Sequence, residues 1–156
     1  MKVLKFGGSS LADAARYLRV KDITLKIHNN DGAAVVLSAP KGVTNALAAL
    51  CDKAATGEDY SSLMNELSAK LNGIANDLNN ELPRFDIDKI QSFVNSHLEQ
   101  LGEHLQGMKL LHCCPDSIAA QIMSLGEYIS VNFYSEILTA LNQKNLIIDP
   151  YAYILA

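Results

Sequence analysis

Cysteine is scarce and unpatterned in this chain. There are three, Cys51 and the neighbours Cys113 and Cys114. An odd number without framework spacing excludes a disulfide-stapled scaffold and fits free thiols in a reducing compartment. His112, Cys113 and Cys114 adjoin one another as potential ligands, but no CxxC or HxxxH accompanies them. Small buried residues beside a turn are expected there, and no metal site. No apolar run reaches the ~18 residues of a membrane span, so no membrane partner is expected. The opening MKVLKFGG lacks the long apolar stretch of a secretion signal, and a cytoplasmic protein is expected. Positive charge is not in excess either. Thirteen Lys+Arg against seventeen Asp+Glu leave a net charge of -4, which excludes the basic face of a nucleic-acid binder.

What is present can fold. Hydrophobic residues make up 49% and charged ones 19% of 156 residues. That suffices for one domain with a core and is too little for two. Val3-Leu4-Lys5-Phe6 is a short apolar run stopped by Gly7-Gly8, which predicts a buried strand entering a glycine turn. Ser9 or Ser10 can cap a helix through about Asn29, with Val20, Ile23 and Ile27 at helical spacing. Asn29 to Gly32 is turn chemistry. A second apolar run, Ala33 to Leu37, ends at Ser38-Ala39-Pro40. Strand, helix and strand in forty residues predict a parallel βαβ unit.

The middle reads as helix throughout. One stripe is Val43, Leu47 and Leu50; a second is Leu63, Leu67, Leu71, Ile74 and Leu78. After Pro83 a third runs through Ile87, Ile90, Val94, Leu98, Leu101 and Leu105. Asp116 or Ser117 can cap a last long helix carrying Ile118, Ile122, Leu125, Ile129, Phe133, Ile137 and Leu141. Asn142 to Asn145 is a turn, and Leu146-Ile147-Ile148 predicts a third strand. This helical layer, roughly 43–142, looks like an insertion between the second and third strands. Three short strands are too small a sheet for about five helices. The final run Tyr151 to Ala156 has neither a closing cap nor a polar tail, so a piece of a longer protein is expected.

Three places could carry chemistry. In Lys5-Phe6-Gly7-Gly8-Ser9-Ser10, two glycines between strand and helix let backbone N–H groups approach an anion, and Lys5 supplies a point charge for phosphate. GxxxxGK[ST] and GxGxxG are both absent, and a strand-turn-helix corner with a GG pair is more often a plain turn. Ser38 to Asn45 lies at the carboxyl end of the second strand, where open α/β sheets bind ligands. Ser38 and Thr44 offer hydroxyls there, although Thr44 also reads as the cap of the next helix. Glu127 stands off the apolar stripe of its helix, on a face with Ala120, Ser124 and Val131. A solvated surface glutamate is the ordinary reading of such a position.

In combination the three are more specific. The order KFGGSS, SAPKGVTN and SxGE resembles the aspartokinases of the amino-acid kinase family, along the whole chain. Cys114-Pro115-Asp116-Ser117-Ile118 before Gly126-Glu127 looks most like the bifunctional aspartokinase/homoserine dehydrogenase enzymes. The resemblance implies a three-layer αβα sandwich of which residues 1–156 form about the N-terminal half of the catalytic domain. The nucleotide-binding half, the regulatory ACT domains and the dehydrogenase would be absent. It implies ATP phosphates on Lys5, Gly7, Gly8 and Ser9, with Lys5 catalytic. It further implies aspartate at Ser38 and Thr44, with the aspartate ammonium on Glu127. Ser9 stands where the family more often has threonine.

The implied reaction is phosphoryl transfer from MgATP to the β-carboxylate of L-aspartate, giving 4-phospho-L-aspartate, first in the route to threonine, methionine and lysine. ATP and Mg²⁺ are the expected cofactors, NADP belonging only to the dehydrogenase region. The family's carboxylate-gripping arginine and its GRGGSD-type segment are missing. Arg16, Arg19 and Arg84 are the only arginines, and none sits in a site motif. The chain alone is therefore expected to be inactive. The open edge of its sheet favours self-association, so a homo-oligomer is expected. Two alternatives stand beside this reading: a non-catalytic half-domain, or a family member acting on a different acyl or carbamate substrate.

Overall fold

In the computed structural model, residues 1–28 and 32–149 are described. The elements are β1 (Lys2–Phe6), a 3-10 turn (Gly8–Leu11), α1 (Ala14–His28), β2 (Ala33–Leu37), α2 (Val43–Thr56), α3 (Ser61–Glu81), α4 (Ile87–Leu111) and α5 (Asp116–Ala140). β1 and β2 pair in parallel, Lys2 opposite Ala33 and Phe6 opposite Leu37. The ladder runs one step further, the Ser38 N–H donating to the Phe6 carbonyl at 3.0 Å. That bond ties the exit of β2 to the glycine turn after β1, as the βαβ reading requires.

The four helical stripes are the core. Leu47, Leu50, Leu71, Leu78, Val94 and Leu105 are fully buried, and so are Ile129, Phe133 and Ile137 on α5. α1 and α5 pack against the sheet, α2 and α4 pack on each other and on α5, and α3 packs on α1, α2 and α4. Tyr17 of α1 meets Phe133 of α5 edge to face, ring centroids 5.9 Å apart. The Tyr17 hydroxyl shares a 2.7 Å hydrogen bond with the buried Ser130 hydroxyl. These contacts lock α1 and α5 together behind the two strands.

Several local expectations are corrected. Neither Ser9 nor Ser10 caps α1: the chain makes a 3-10 turn first, and the Asp13 carboxylate accepts the Arg16 N–H at 2.9 Å in their place. Thr44 lies inside α2, whose N-cap is Gly42 at φ 84, a left-handed conformation that glycine adopts without strain. α5 begins at Asp116 with Pro115 at its N-cap and no side-chain cap. Cys51 is buried and Cys114 half-buried, but Cys113 is exposed. The expected third strand does not form among the described residues. Leu146 to Ile148 has no ladder partner, and Leu146 and Ile148 are 84% and 64% exposed. A strand exists through its pairing, and an apolar triplet without a neighbour stays irregular. Of the expected turn at Asn29 to Gly32, residues 29–31 lie outside the described residues, as does the run Tyr151 to Ala156.

Candidate functional site

The site is assembled where three segments meet at the carboxyl ends of both strands. The first is the glycine turn after β1. Lys5 is exposed, and its Nζ lies 3.8 Å from where a Cβ on Gly7 would stand. The ammonium therefore hangs over the turn. The 3-10 turn is held from α1, whose Arg16 guanidinium donates to the Ser9 carbonyl. Gly8 is needed for close approach, because a Cβ there would stand 2.9 Å from the Ala39 carbonyl oxygen.

The second segment is the loop from β2 into α2. The Val43 N–H bonds back to the Pro40 carbonyl at 3.0 Å, and the loop turns Ser38, Lys41, Thr44 and Asn45 toward one space. No side chain caps α2, and its first turn carries no acid. The third segment is α5. Gly126 sits against this loop so tightly that a Cβ would fall 2.5 Å from Ala39 Cβ and 3.0 Å from Val43 Cγ1. The absence of a side chain at 126 brings the α5 backbone onto the loop and places Glu127 beside it.

Together these segments enclose an open cleft of about 310 Å³, near the small end of the range for sites that hold small molecules. Gly8, Ser9, Ser38, Thr44 and Glu127 all line it. Lys5 and Gly7 do not; they border the same turn one step toward β1. Glu127 is not the solvated side chain that its residue type suggests. It is half-buried, and its Oε2 is shielded from water with no hydrogen-bond partner among the described residues. Leaving such an acceptor unsatisfied costs about 1–3 kcal/mol, more when it is charged. A cationic group in the cleft would remove that cost. Sequence reasoning missed Lys41 and Asn45 as lining residues and Gly126 as the spacer. Lys41 and Asn45 lay within the segment singled out, but nothing in their spacing said which side chains face inward. Gly126 stands in the SxGE motif, but its packing role carried no signal, since the contact that requires it is with a residue far away in the chain.

The profile of the Amino acid kinase family matches residues 1–153. Over all 156 residues the chain is 33% identical to the bifunctional aspartokinase/homoserine dehydrogenase of Buchnera aphidicola subsp. Acyrthosiphon pisum. It is 31% identical to the enzyme of the same description in Haemophilus influenzae. It covers 19% of the length of each of these curated relatives. Among solved structures, E. coli aspartokinase III in complex with lysine and aspartate superposes with a TM-score of 0.75 at 26% identity. That match covers 92% of this chain and 30% of the other. The same enzyme in complex with aspartate and ADP superposes with a TM-score of 0.75, covering 91% and 29%. The α/β fold with its small parallel sheet is that of the aspartokinases. With a match running from the first residue to residue 153, this chain belongs to the amino acid kinase family.

Proposed function

We propose that residues 1–156 are about the N-terminal half of an aspartokinase catalytic domain, contributing to phosphoryl transfer from ATP to the β-carboxylate of L-aspartate. The observation that carries this reading is the buried, unpartnered Glu127 Oε2. Glu127 lines the cleft together with the Gly8-Ser9 turn, Ser38 and Thr44. A carboxylate so placed is suited to an ammonium group, and relatives of this fold bind aspartate and ADP. The cytoplasm is the compartment that fits this reading.

In this reading Glu127 holds the substrate ammonium, while Ser38 and Thr44 hydrogen-bond its polar groups. The substrate carboxylate is already ionised near neutral pH, so no general base is required. The barrier lies in bringing one anion up to another. Lys5 and the Gly7-Gly8 amides lower it by neutralising charge on the phosphates and aligning them for in-line transfer. Mg²⁺ is expected to arrive on the ATP phosphates rather than in a protein cage. Among the described residues no three His, Cys, Asp or Glu side chains cluster to hold a metal, and no step here is assigned to one.

The sequence has no counterpart of the family's carboxylate-gripping arginine or GRGGSD-type segment, so in this reading neither substrate is held at both ends. Alignment is worth about 7–11 kcal/mol at best, and most of it would be forfeited. A hydroxamate assay with a panel of acceptors tests the reading. The domain-length protein is expected to phosphorylate L-aspartate in preference to L-glutamate and carbamate, and the 156-residue chain to show no turnover. Preference for another acceptor, or full activity of the chain alone, would overturn the assignment.

A further inference from the structure

Two charged side chains line the cleft among the described residues, Lys41 from the β2–α2 loop and Glu127 from α5. No ion pair joins them, and neither enters any of the ion pairs found elsewhere among the described residues. Their charges are thus left uncancelled within one space of about 310 Å³. The base of Lys41 is fixed although its side chain is exposed. Its backbone N and Cα stand 3.6 Å from a Cβ position on Gly8, and left-handed Gly42 with the Val43–Pro40 hydrogen bond sets the loop that carries it. The ammonium therefore starts from the seam between the glycine turn and the wall bearing Ser38 and Thr44.

We infer that Lys41 is a specificity-determining residue of this cleft, taking an anionic group of the same small molecule whose ammonium is held by Glu127. The two side chains together select an amphoteric ligand of amino-acid size over one carrying charge of a single sign. An anion alone meets the unpartnered carboxylate of Glu127, and a cation alone leaves Lys41 unanswered. This rests on reading the cleft as an amino-acid site, and it adds to that reading a residue on the opposite charge.

The test is a chemical-shift titration of the ¹⁵N-labelled 156-residue chain with L-aspartate, L-asparagine, isoasparagine and succinate, repeated for Lys41→Met and Lys41→Arg. In the unsubstituted chain L-aspartate should shift the amides of residues 38–45 and 126–128 saturably. It should bind more tightly than succinate and than at least one of the two amides. Lys41→Met should weaken L-aspartate by about fivefold or more, the loss of one charge-assisted hydrogen bond at a partly solvated site. It should also abolish the preference for aspartate over that amide, whereas Lys41→Arg should keep it. If the unsubstituted chain responds and Lys41→Met binds aspartate equally well with the preference intact, the role of Lys41 is overturned and the amino-acid reading stands. If the unsubstituted chain gives no saturable shift with L-aspartate, both are overturned.

Discussion

A methyl group at position 126 has nowhere to go. Gly126→Ala would put a carbon 2.5 Å from Ala39 Cβ and 3.0 Å from Val43 Cγ1, and overpacking of this kind costs about 1–3 kcal/mol. α5 can relieve the clash only by moving off the loop, which carries Glu127 away from Ser38 and Thr44. Gly73→Ala on α3 is the control, since nothing stands within 4 Å of a Cβ there. In a helix interior it should stabilise by about 0.5–1 kcal/mol. Urea melts should show opposite signs for the two substitutions; the same sign would mean that the packing at 126 is looser than described. Titration acts at this scale too. Burial, then the nearby Cys114 sulfur, pushes the Cys51 thiol up from 9.0 to about 11. Burial likewise raises the Tyr17 phenol above its ordinary 10.0, against the lowering effect of the Ser130 hydrogen bond. Both groups stay protonated in the fold when the unfolded chain has begun to release those protons. Stability is therefore full below about pH 9 and falls as pH rises through 9–11 for Cys51, and above 10 for Tyr17. Cys51→Ala should flatten the decline of Tm between pH 9 and 11. An unchanged slope would assign the decline elsewhere.

Among the elements, α4 and α5 are joined by more than apolar stripes. Glu136 of α5 is 3% exposed, and its Oε2 lies 2.6 Å from Lys89 Nζ at the start of α4. Its Oε1 accepts the Asp86 N–H at 3.4 Å. Asp86 in turn caps α4, accepting the Lys89 N–H at 3.0 Å. Lys89→Met would leave a buried carboxylate with one long amide bond, at about 1–3 kcal/mol. Converting Glu136 to Met in the same chain should recover most of the loss, because the stranded charge is then gone. Additive losses in the double variant would show that the pair is solvated and contributes little. No pattern in the sequence announced this contact, which spans two helices. What the sequence announced well was periodicity: Leu71, Leu78, Val94, Leu105, Ile129 and Ile137 were all read from spacing and are all buried. Spacing predicts a face without knowing what covers it. That is why the stripes are legible and the run at Leu146 to Ile148 is not: its composition suits a strand, but no partner strand stands beside it among the described residues.

For the whole molecule the same logic explains the shape of the sheet. Parallel strands are ordinarily covered on both faces, yet Val3 is 67% and Val36 49% exposed on the face away from α1 and α5. The chain spans 19% of the length of its curated relatives and 30% of the solved neighbour. Half of the cleft lining was legible in advance because Gly8, Ser9, Ser38, Thr44 and Glu127 fall in short motifs, and the fold gathers them around one cleft. The burial of Glu127 was not legible, since it depends on Gly126 meeting Ala39 across the chain. Glu127 is therefore the residue on which the account turns. The direct measurement is the pair of KM values, for L-aspartate and for ATP, of Glu127→Gln in the domain-length enzyme. Loss of a charged contact to the substrate ammonium should raise the KM for aspartate by about tenfold or more, with the KM for ATP nearly unchanged and the melting temperature of the ligand-free protein not lowered. An equal rise for both substrates, or none for aspartate, would contradict the assignment of this carboxylate to the amino group of the substrate.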